Sequence, residues 1–527
     1  MSGSDSQRMR GGQPVFILDE DAERTQGKDA RTSNITAGEA IAESVRTTLG
    51  PKGMDKMLVS DGGDVVITND GATILDEMDI EHPAAQMLTE VAESQEESVG
   101  DGTTSAAILA GQLLSEAEDF IEDEIHPTTI VEGFSQARDI ALEALDEQIL
   151  DVDIDDDVLT DIARSAMTGK GTGGITAETL AESIVYAVGQ VESNGTIHDE
   201  NIQIVAQPGE SSSATEVVDG VIIDEEPLRD DMPRSVDDAT VAVIDTDLDT
   251  RETEADIEYD VQSADQLDSA IANEQRELRQ YADSLADAGV DVVFVTGDIA
   301  DMTAGFLAND GILAFDSLSS DDADAVLRTT GANRLATVDD IESEDLGQVD
   351  SIAVERYGED ELLFVSGTTQ ADAVTLFVRS GTEHVLDELE RAVGDGVDAV
   401  IAAAETGGVV PGAGCTEIQL ATAVRSAAAG IEGREQLAVE AFADALDSIP
   451  RTIAENTGMD PIDALVEVRA ANEDGRGGIL ARAERGTVGD PVEQGVLDPA
   501  TVKREVLSSA TEAATMIVRI DDVITAE

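Results

Sequence analysis

Acidic side chains run through the whole of this sequence, and any fold it adopts has to accommodate them. Of 527 residues, 114 are Asp or Glu and 31 are Lys or Arg, a formal net charge of −83. A disordered acidic tail would gather its carboxylates into one block with few apolar neighbours. Here they alternate with apolar positions, as at 142–145 and 267–271, and 41% of the residues are hydrophobic, enough to build real cores. The chain therefore reads as folded, with its acid on the surface. At ordinary ionic strength, where the Debye length is ~8 Å, such a charge strains a compact state; in molar salt the length falls to ~3 Å. Five lysines and an aromatic content of 2% point the same way, to a protein that works in concentrated salt, in a halophile's cytosol. The same field repels phosphate backbones, which argues against nucleic acid and anionic membranes as partners. One cysteine, Cys415, allows no intrachain disulfide and fits a reducing compartment. No apolar run approaches the ~20 residues of a membrane span. The start at 1–10 lacks a signal peptide's apolar stretch, so a cytoplasmic location is expected.

Apolar periodicity divides the chain into parts of different grain, about three domains at roughly 150 residues each. A short polar lead ends in a strand-like run at 13–18. A helical pattern follows from Asn34, with Ala37, Ile41 and Val45 four residues apart, and Gly50-Pro51 stops it. Runs at 57–60 and 65–68 flank Asp61-Gly62-Gly63-Asp64 and predict a hairpin. Helices are predicted over about 83–94 and from Thr103 through Phe120. Between 220 and 350, strand-like runs at 241–244, 292–295 and 312–315 alternate with helical stretches, the pattern of an α/β unit. Within it, 252–275 is strongly acidic and weakly amphipathic, an insertion of helical character. From Thr369 to about Ala471 the pattern is mostly helical again, and 517–520 is strand-like.

The most informative segment is Gly100-Asp101-Gly102-Thr103-Thr104-Ser105, between two predicted helices. Its glycines let a ligand approach the backbone, and the helix N-terminus that follows offers unpaired N–H groups suited to phosphate. Asp101 alone would repel phosphate, so its natural role is a Mg²⁺ ligand. A plain capped glycine turn has the same local sequence. Three further turns could converge on the same ligand: Thr48-Leu49-Gly50-Pro51-Lys52-Gly53, Asn69-Asp70-Gly71-Ala72-Thr73, and the glycine-rich run at 407–414. Lys52, Lys56 and Lys170 stand in or near glycine-bearing turns. Other matches fail. No GxxxxGK[ST] exists. The GxGxxG at 169–174 follows a helical pattern instead of a strand. The four histidines lack metal-ligand spacing, and Cys415 reads as a small packed residue instead of a nucleophile.

Taken together, GGQPVFIL (11–18), TLGPKGMDKM (48–57), NDGATIL (69–75), GDGTTS (100–105), NTGMDP (456–461), GVLDP (495–499) and RIDDVI (519–524) resemble, in order and end to end, the group II chaperonins, the archaeal thermosome and its eukaryotic cytosolic relatives. The resemblance implies a multidomain α+β fold. A mainly helical equatorial ATPase domain comes from both chain ends (1–150 and 405–527), and a small intermediate domain is crossed twice (151–219 and 371–404). An α/β apical domain (220–370) is inserted between them, with a helical protrusion at about 252–275 serving as a built-in lid. The implied function is that of an ATP-dependent chaperone. Identical or homologous subunits form stacked rings that enclose unfolded polypeptide, and ATP hydrolysis drives closure. Carried onto this sequence, Asp101 holds Mg²⁺. Leu49, Gly50, Pro51, Gly102, Thr103, Thr104 and Ser105 bind the nucleotide, its phosphates at the two glycine turns. Lys170 senses the γ-phosphate side, and Gly414 and Asp498 contact the sugar side. Asp70 and Asp395 position or activate the attacking water, with Asp398 as the alternative to Asp395. ATP and Mg²⁺ are the implied cofactors, with K⁺ as a further ion. Ala413 stands where the family often has glycine, and the protrusion is far more acidic than the family's. Two rival readings remain: a monomeric ATP-dependent metabolic enzyme, and a non-catalytic scaffold in which these aspartates are surface acids.

Overall fold

The computed structural model of the chain describes all residues except 1–7, 11–12, 16–22, 61, 172–173, 194, 251–263, 340, 359, 368–372, 474, 482–484 and 526–527. Its contacts divide it into two units. One is assembled from Met1–Lys170 with Ala402–Glu527, and the other is Gly171–Ile401.

Helices make the first unit. Its N-terminal part contributes α1 (Lys28–Arg46), α2 (Gly71–Asp76), α3 (Pro83–Val99), α4 (Thr103–Glu122) and α5 (Pro127–Gln148). Residues 106–111 of α4, with Leu113, Leu114 and Ala117, are buried nearly all round, the mark of a central helix. α1 crosses it closely because Gly111 and Gly38 carry no side chain: a Cβ on either would collide with Ala42 or Leu114. From the other chain end, the helices Cys415–Ala428, Glu435–Leu446 and Ala500–Arg519 close the same core, where the rings of Phe134 and Phe442 lie 6.2 Å apart. With nine Phe, four Tyr and no Trp, that core is filled mainly by Ala, Leu, Ile and Val. His82 and His126 prove to be helix caps. Each precedes a proline and accepts a backbone N–H of the first turn through Nδ1, at 3.2 and 3.3 Å.

The second unit holds a seven-stranded mixed sheet. Its order runs from Gly220–Ile223 through Asp360–Ser366, Gly347–Tyr357, Ser235–Ile244 and Val292–Val295 to Leu313–Phe315, with Arg334–Leu335 also pairing Ser235–Ile244. The three strands expected from sequence are the parallel, buried ones, in register Val241 opposite Val292 and Val292 opposite Leu313. The other half of the sheet is antiparallel. A second, three-stranded sheet joins Ile202–Pro208, Val374–Ser380 and Glu216–Val218.

The mostly helical reading after Thr369 holds from Glu383 onward, but that sheet corrects its start. Val374–Ser380 is buried throughout between two neighbours, so it lacks the alternation that announces a strand, and the helix Glu383–Thr406 starts only afterwards. The strand-like 517–520 is likewise corrected. The helix Ala500–Arg519 continues through Ile517 and Val518, and the strand is Asp522–Thr525, paired with Glu23–Gln26. The predicted hairpin forms as Lys56–Val59 against Val65–Thr68. Of the run at 13–18, Gln13–Val15 is a strand and the rest lies outside the described residues. Of the acidic insertion at 252–275, residues 252–263 lie outside them and the helix Ala264–Ala288 carries the remainder. Among the described residues, no helix is long and apolar enough to cross a membrane.

Candidate functional site

α4 begins on Gly102, whose φ of +89° is left-handed and which has no side chain to cap the helix. The first-turn N–H groups that a Ser or Asp cap would occupy are thus left for another acceptor. Space demands glycine as well, since a Cβ here would come within 2.9 Å of both Val502 and Val506. Beside it the Asp101 carboxylate accepts from the Gly102 N–H at 2.6 Å. The buried Gln95 fixes the turn from below. Its Nε2 donates to the Asp101 carbonyl at 2.8 Å, and its Oε1 accepts from Ser509 at 3.1 Å.

The turns marked in the sequence converge on this point. A Cβ on Gly71 would strike the Thr104 hydroxyl and approach its backbone N to 3.1 Å, so the NDGAT turn lies directly on GDGTTS. Asp70 caps α2, accepting from the Thr73 N–H through Oδ2 at 2.7 Å. The neighbouring Asn69 donates to the Gly169 carbonyl at 2.6 Å, and a Cβ on Gly169 would come 2.7 Å from the Gly50 carbonyl. The TLGPKG turn, with Leu49, Gly50 and Pro51, and the segment bearing Lys170 are thereby joined to the NDGAT turn. Asn456 of NTGMDP secures the first of them, donating to the carbonyls of Arg46 and Leu49 at 3.1 and 2.8 Å.

Opposite, Val409–Pro411 pairs with Leu497–Pro499, which sets Val410 against Asp498. Gly414, at φ +77°, starts the helix Cys415–Ala428 without a side-chain cap, as Gly102 starts α4. Asp498 is close enough for its charge to act on Asp101. Lys503 bridges Glu417 and Asp498, at 2.7 Å from each. Cys415 is buried, donates to Asn472 at 3.3 Å, and has its thiol pushed up to about 12 by burial, so it is no nucleophile.

Acidic groups crowd this turn, and burial acts on two of them. Loss of water around Asp101 pushes its carboxyl up, and Asp498 adds to this, while Lys170 and Lys503 oppose it. Glu96, which accepts from the Thr103 hydroxyl at 2.7 Å, is pushed up to about 7, first by burial and then by Asp70 and Asp101. Crowded, desolvated carboxylates of this kind are relieved by a cation. No group of three His, Cys, Asp or Glu among the described residues is arranged to hold a metal.

Asp395 and Asp398 belong to the second unit, on Glu383–Thr406, where Asp395 is buried and Asp398 exposed. Sequence reasoning missed Gln95, Glu96, Asn456, Glu417 and Lys503. Two carried a usable signal: Asn456 opens the NTGMDP block, and in a chain with five lysines, one lying just beyond GVLDP stands out.

These oxygen-bearing side chains and uncapped helix starts come from both chain ends. The chain belongs to the TCP-1/cpn60 chaperonin family, whose description matches residues 41–527. Among curated relatives it is 60% identical to thermosome subunit 3 of Haloferax volcanii, over 98% of this chain and 99% of that protein. It is 48% identical to thermosome subunit alpha of Halobacterium salinarum, covering 98% and 92%. With the thermosome subunit of Methanopyrus kandleri it shares 47% identity, covering 98% and 95%.

Proposed function

We propose that the cup at the start of α4 binds Mg-ATP, and that its hydrolysis closes a ring of such subunits around unfolded polypeptide. The chain is a group II chaperonin, an ATPase and an ATP-dependent chaperone of protein folding. The observation that supports this site most directly is the uncapped N-terminus of α4, with Asp101 on one side and Gly71 packed on Thr104.

In this reading, the N–H groups of Thr103, Thr104 and Ser105 hold the phosphates. Leu49, Gly50 and Pro51 form the second wall, and Gly414 and Asp498 face the sugar. Asp101 holds Mg²⁺, which when bound offsets phosphate charge for the transfer. Lys170 lies where a γ-phosphate would be felt, as its field on Asp101 and Glu96 indicates. Asp70 commits Oδ2 to Thr73 and keeps Oδ1 for orienting water. Asp395 is the second water-positioning carboxylate; its burial, against the exposure of Asp398, favours it. Its place on a hinge would make hydrolysis wait for closure. K⁺ is a further candidate ion.

The equatorial domain would be 1–150 with 405–527, within a first unit that also takes in 151–170 and 402–404. The intermediate domain is 151–219 with 371–404, and the apical domain is 220–370, its protrusion the lid. Partners are identical or homologous subunits in stacked rings and unfolded clients, in the cytoplasm. Asp101→Ala should weaken Mg-ATP binding measured by calorimetry. Asp70→Ala and Asp395→Ala should keep binding and lose hydrolysis by roughly 10²–10⁴-fold, with Asp398→Ala unchanged. Normal hydrolysis by Asp395→Ala with loss in Asp398→Ala would move the role to Asp398. No change in either would remove the hinge trigger.

A further inference from the structure

Lys503 sits in a cage of carboxylates. Its ammonium lies between carboxylates from two other elements, Glu417 on the helix Cys415–Ala428 and Asp498 in the strand Leu497–Pro499, at 2.7 Å from each. Burial alone would favour losing the proton, but the two carboxylates outweigh it and hold the amine charged, above the usual lysine range.

Three details separate this cluster from an ion pair kept for stability. The Glu417 oxygen Oε2 is buried and has no hydrogen-bond partner among the described residues, so only Oε1 is engaged, on Lys503. A pair kept for stability would satisfy both oxygens. Asp498 is divided in the same way. Its Oδ2 is bound to Lys503, while no hydrogen bond reaches Oδ1 from the described residues. That free oxygen lies beside Gly412, where a Cβ would stand 3.1 Å from it, so the glycine leaves room at the oxygen. Finally, the Lys503 charge reaches Asp101 at the phosphate end of the cup.

We propose that Lys503, held by Glu417, is a positioning residue that anchors one oxygen of Asp498 and aims the other at a ribose hydroxyl, making the site selective for ribonucleotides. The proposal rests on the reading that Asp498 faces the sugar. Bound by a charged donor on one side, the carboxylate cannot swing away, so its second oxygen is pre-set as an acceptor for an O–H. A charge-assisted hydrogen bond of this kind is worth ~1.5–3 kcal/mol, or roughly tenfold to a hundredfold in affinity.

The test is calorimetric binding of ADP, 2′-deoxy-ADP, 3′-deoxy-ADP and 2′,3′-dideoxy-ADP to the assembled protein in high salt, so that the readout is independent of hydrolysis. Wild type should prefer ADP over at least one deoxy form by roughly tenfold or more. Lys503→Met alone leaves two unpaired carboxylates and risks unfolding. The double variant Lys503→Met, Glu417→Gln keeps the cluster's net charge and is the decisive protein. It should lose the ADP preference while binding 2′,3′-dideoxy-ADP as wild type does, and Lys503→Arg should recover part of it. A merely structural lysine would lower affinity for all four nucleotides alike, and that result would overturn the proposal. So would a double variant that keeps the preference when Asp498→Asn loses it, although the sugar-facing reading of Asp498 would then stand. If Asp498→Asn keeps the preference, that reading itself fails and the proposal with it.

Discussion

Burial makes the Glu96 carboxyl ionise near neutrality, at about 7 against an ordinary 4.5, with Asp70 and Asp101 adding to the shift and Thr103 and Lys170 opposing it. The folded chain keeps that proton up to about pH 7, whereas the unfolded chain releases it near 4.5, so stability falls as pH rises across this window. Glu96→Gln cannot ionise. Relative to wild type it should gain urea resistance at pH 8 and gain none at pH 4, with midpoints read in nucleotide-free high salt. Glu225, also pushed up to about 7 by burial and by Asp322, Asp316 and Asp224, titrates in the same window. It does so in both proteins, and its contribution cancels in the difference. An unchanged difference between the two pH values would mean that Glu96 ionises alike in the folded and unfolded chain.

At the scale of elements, the contact of α2 with the first turn of α4 is exacting. Gly71→Ala pushes a methyl into Thr104, so it should depress nucleotide affinity by at least tenfold while moving the unfolding midpoint little. Equal loss of both would make the contact structural only. This turn was legible in sequence, as were the Gly50, Gly102 and Gly414 turns and the hairpin at 56–68, because a left-handed or crowded backbone writes glycine at the position itself. Gln95 and Glu96 were not legible. Each acts on a backbone group that only the tertiary fold brings beside it, and nothing in local spacing distinguishes them from surface polar residues. Val374–Ser380 was unreadable for the opposite reason: a strand covered on both faces has no polar face to mark its period. The protrusion stands as a prediction. Replacing 252–275 with a short Gly/Ser loop should leave the ATPase rate intact and end the protection of a trapped client from protease in ATP and high salt. Continued protection would show that something else closes the chamber.

For the whole molecule, a charge of −83 sets the conditions under which any of this operates. Dilution to roughly 0.1 M salt, where fields persist over ~10 Å, should dissociate or unfold the assembly, followed by light scattering and circular dichroism. Rings intact after long dialysis at that salt would sink the halophilic reading while leaving the chaperonin one untouched. The division of the chain bears on how it is made. Ribosomes release α3 and α4 early, but the helix Ala500–Arg519, whose Val502 and Val506 lie under Gly102 and whose Lys503 faces Asp498, is synthesised almost last. A nascent chain thus carries half a nucleotide cup, its apolar flank waiting for a partner still to be translated. Gly171–Ile401, contiguous in sequence, can complete its own core in the meantime. On the proposed reading of the cup, competence to bind nucleotide arrives only near the end of translation, so that bound nucleotide would report a chain already finished.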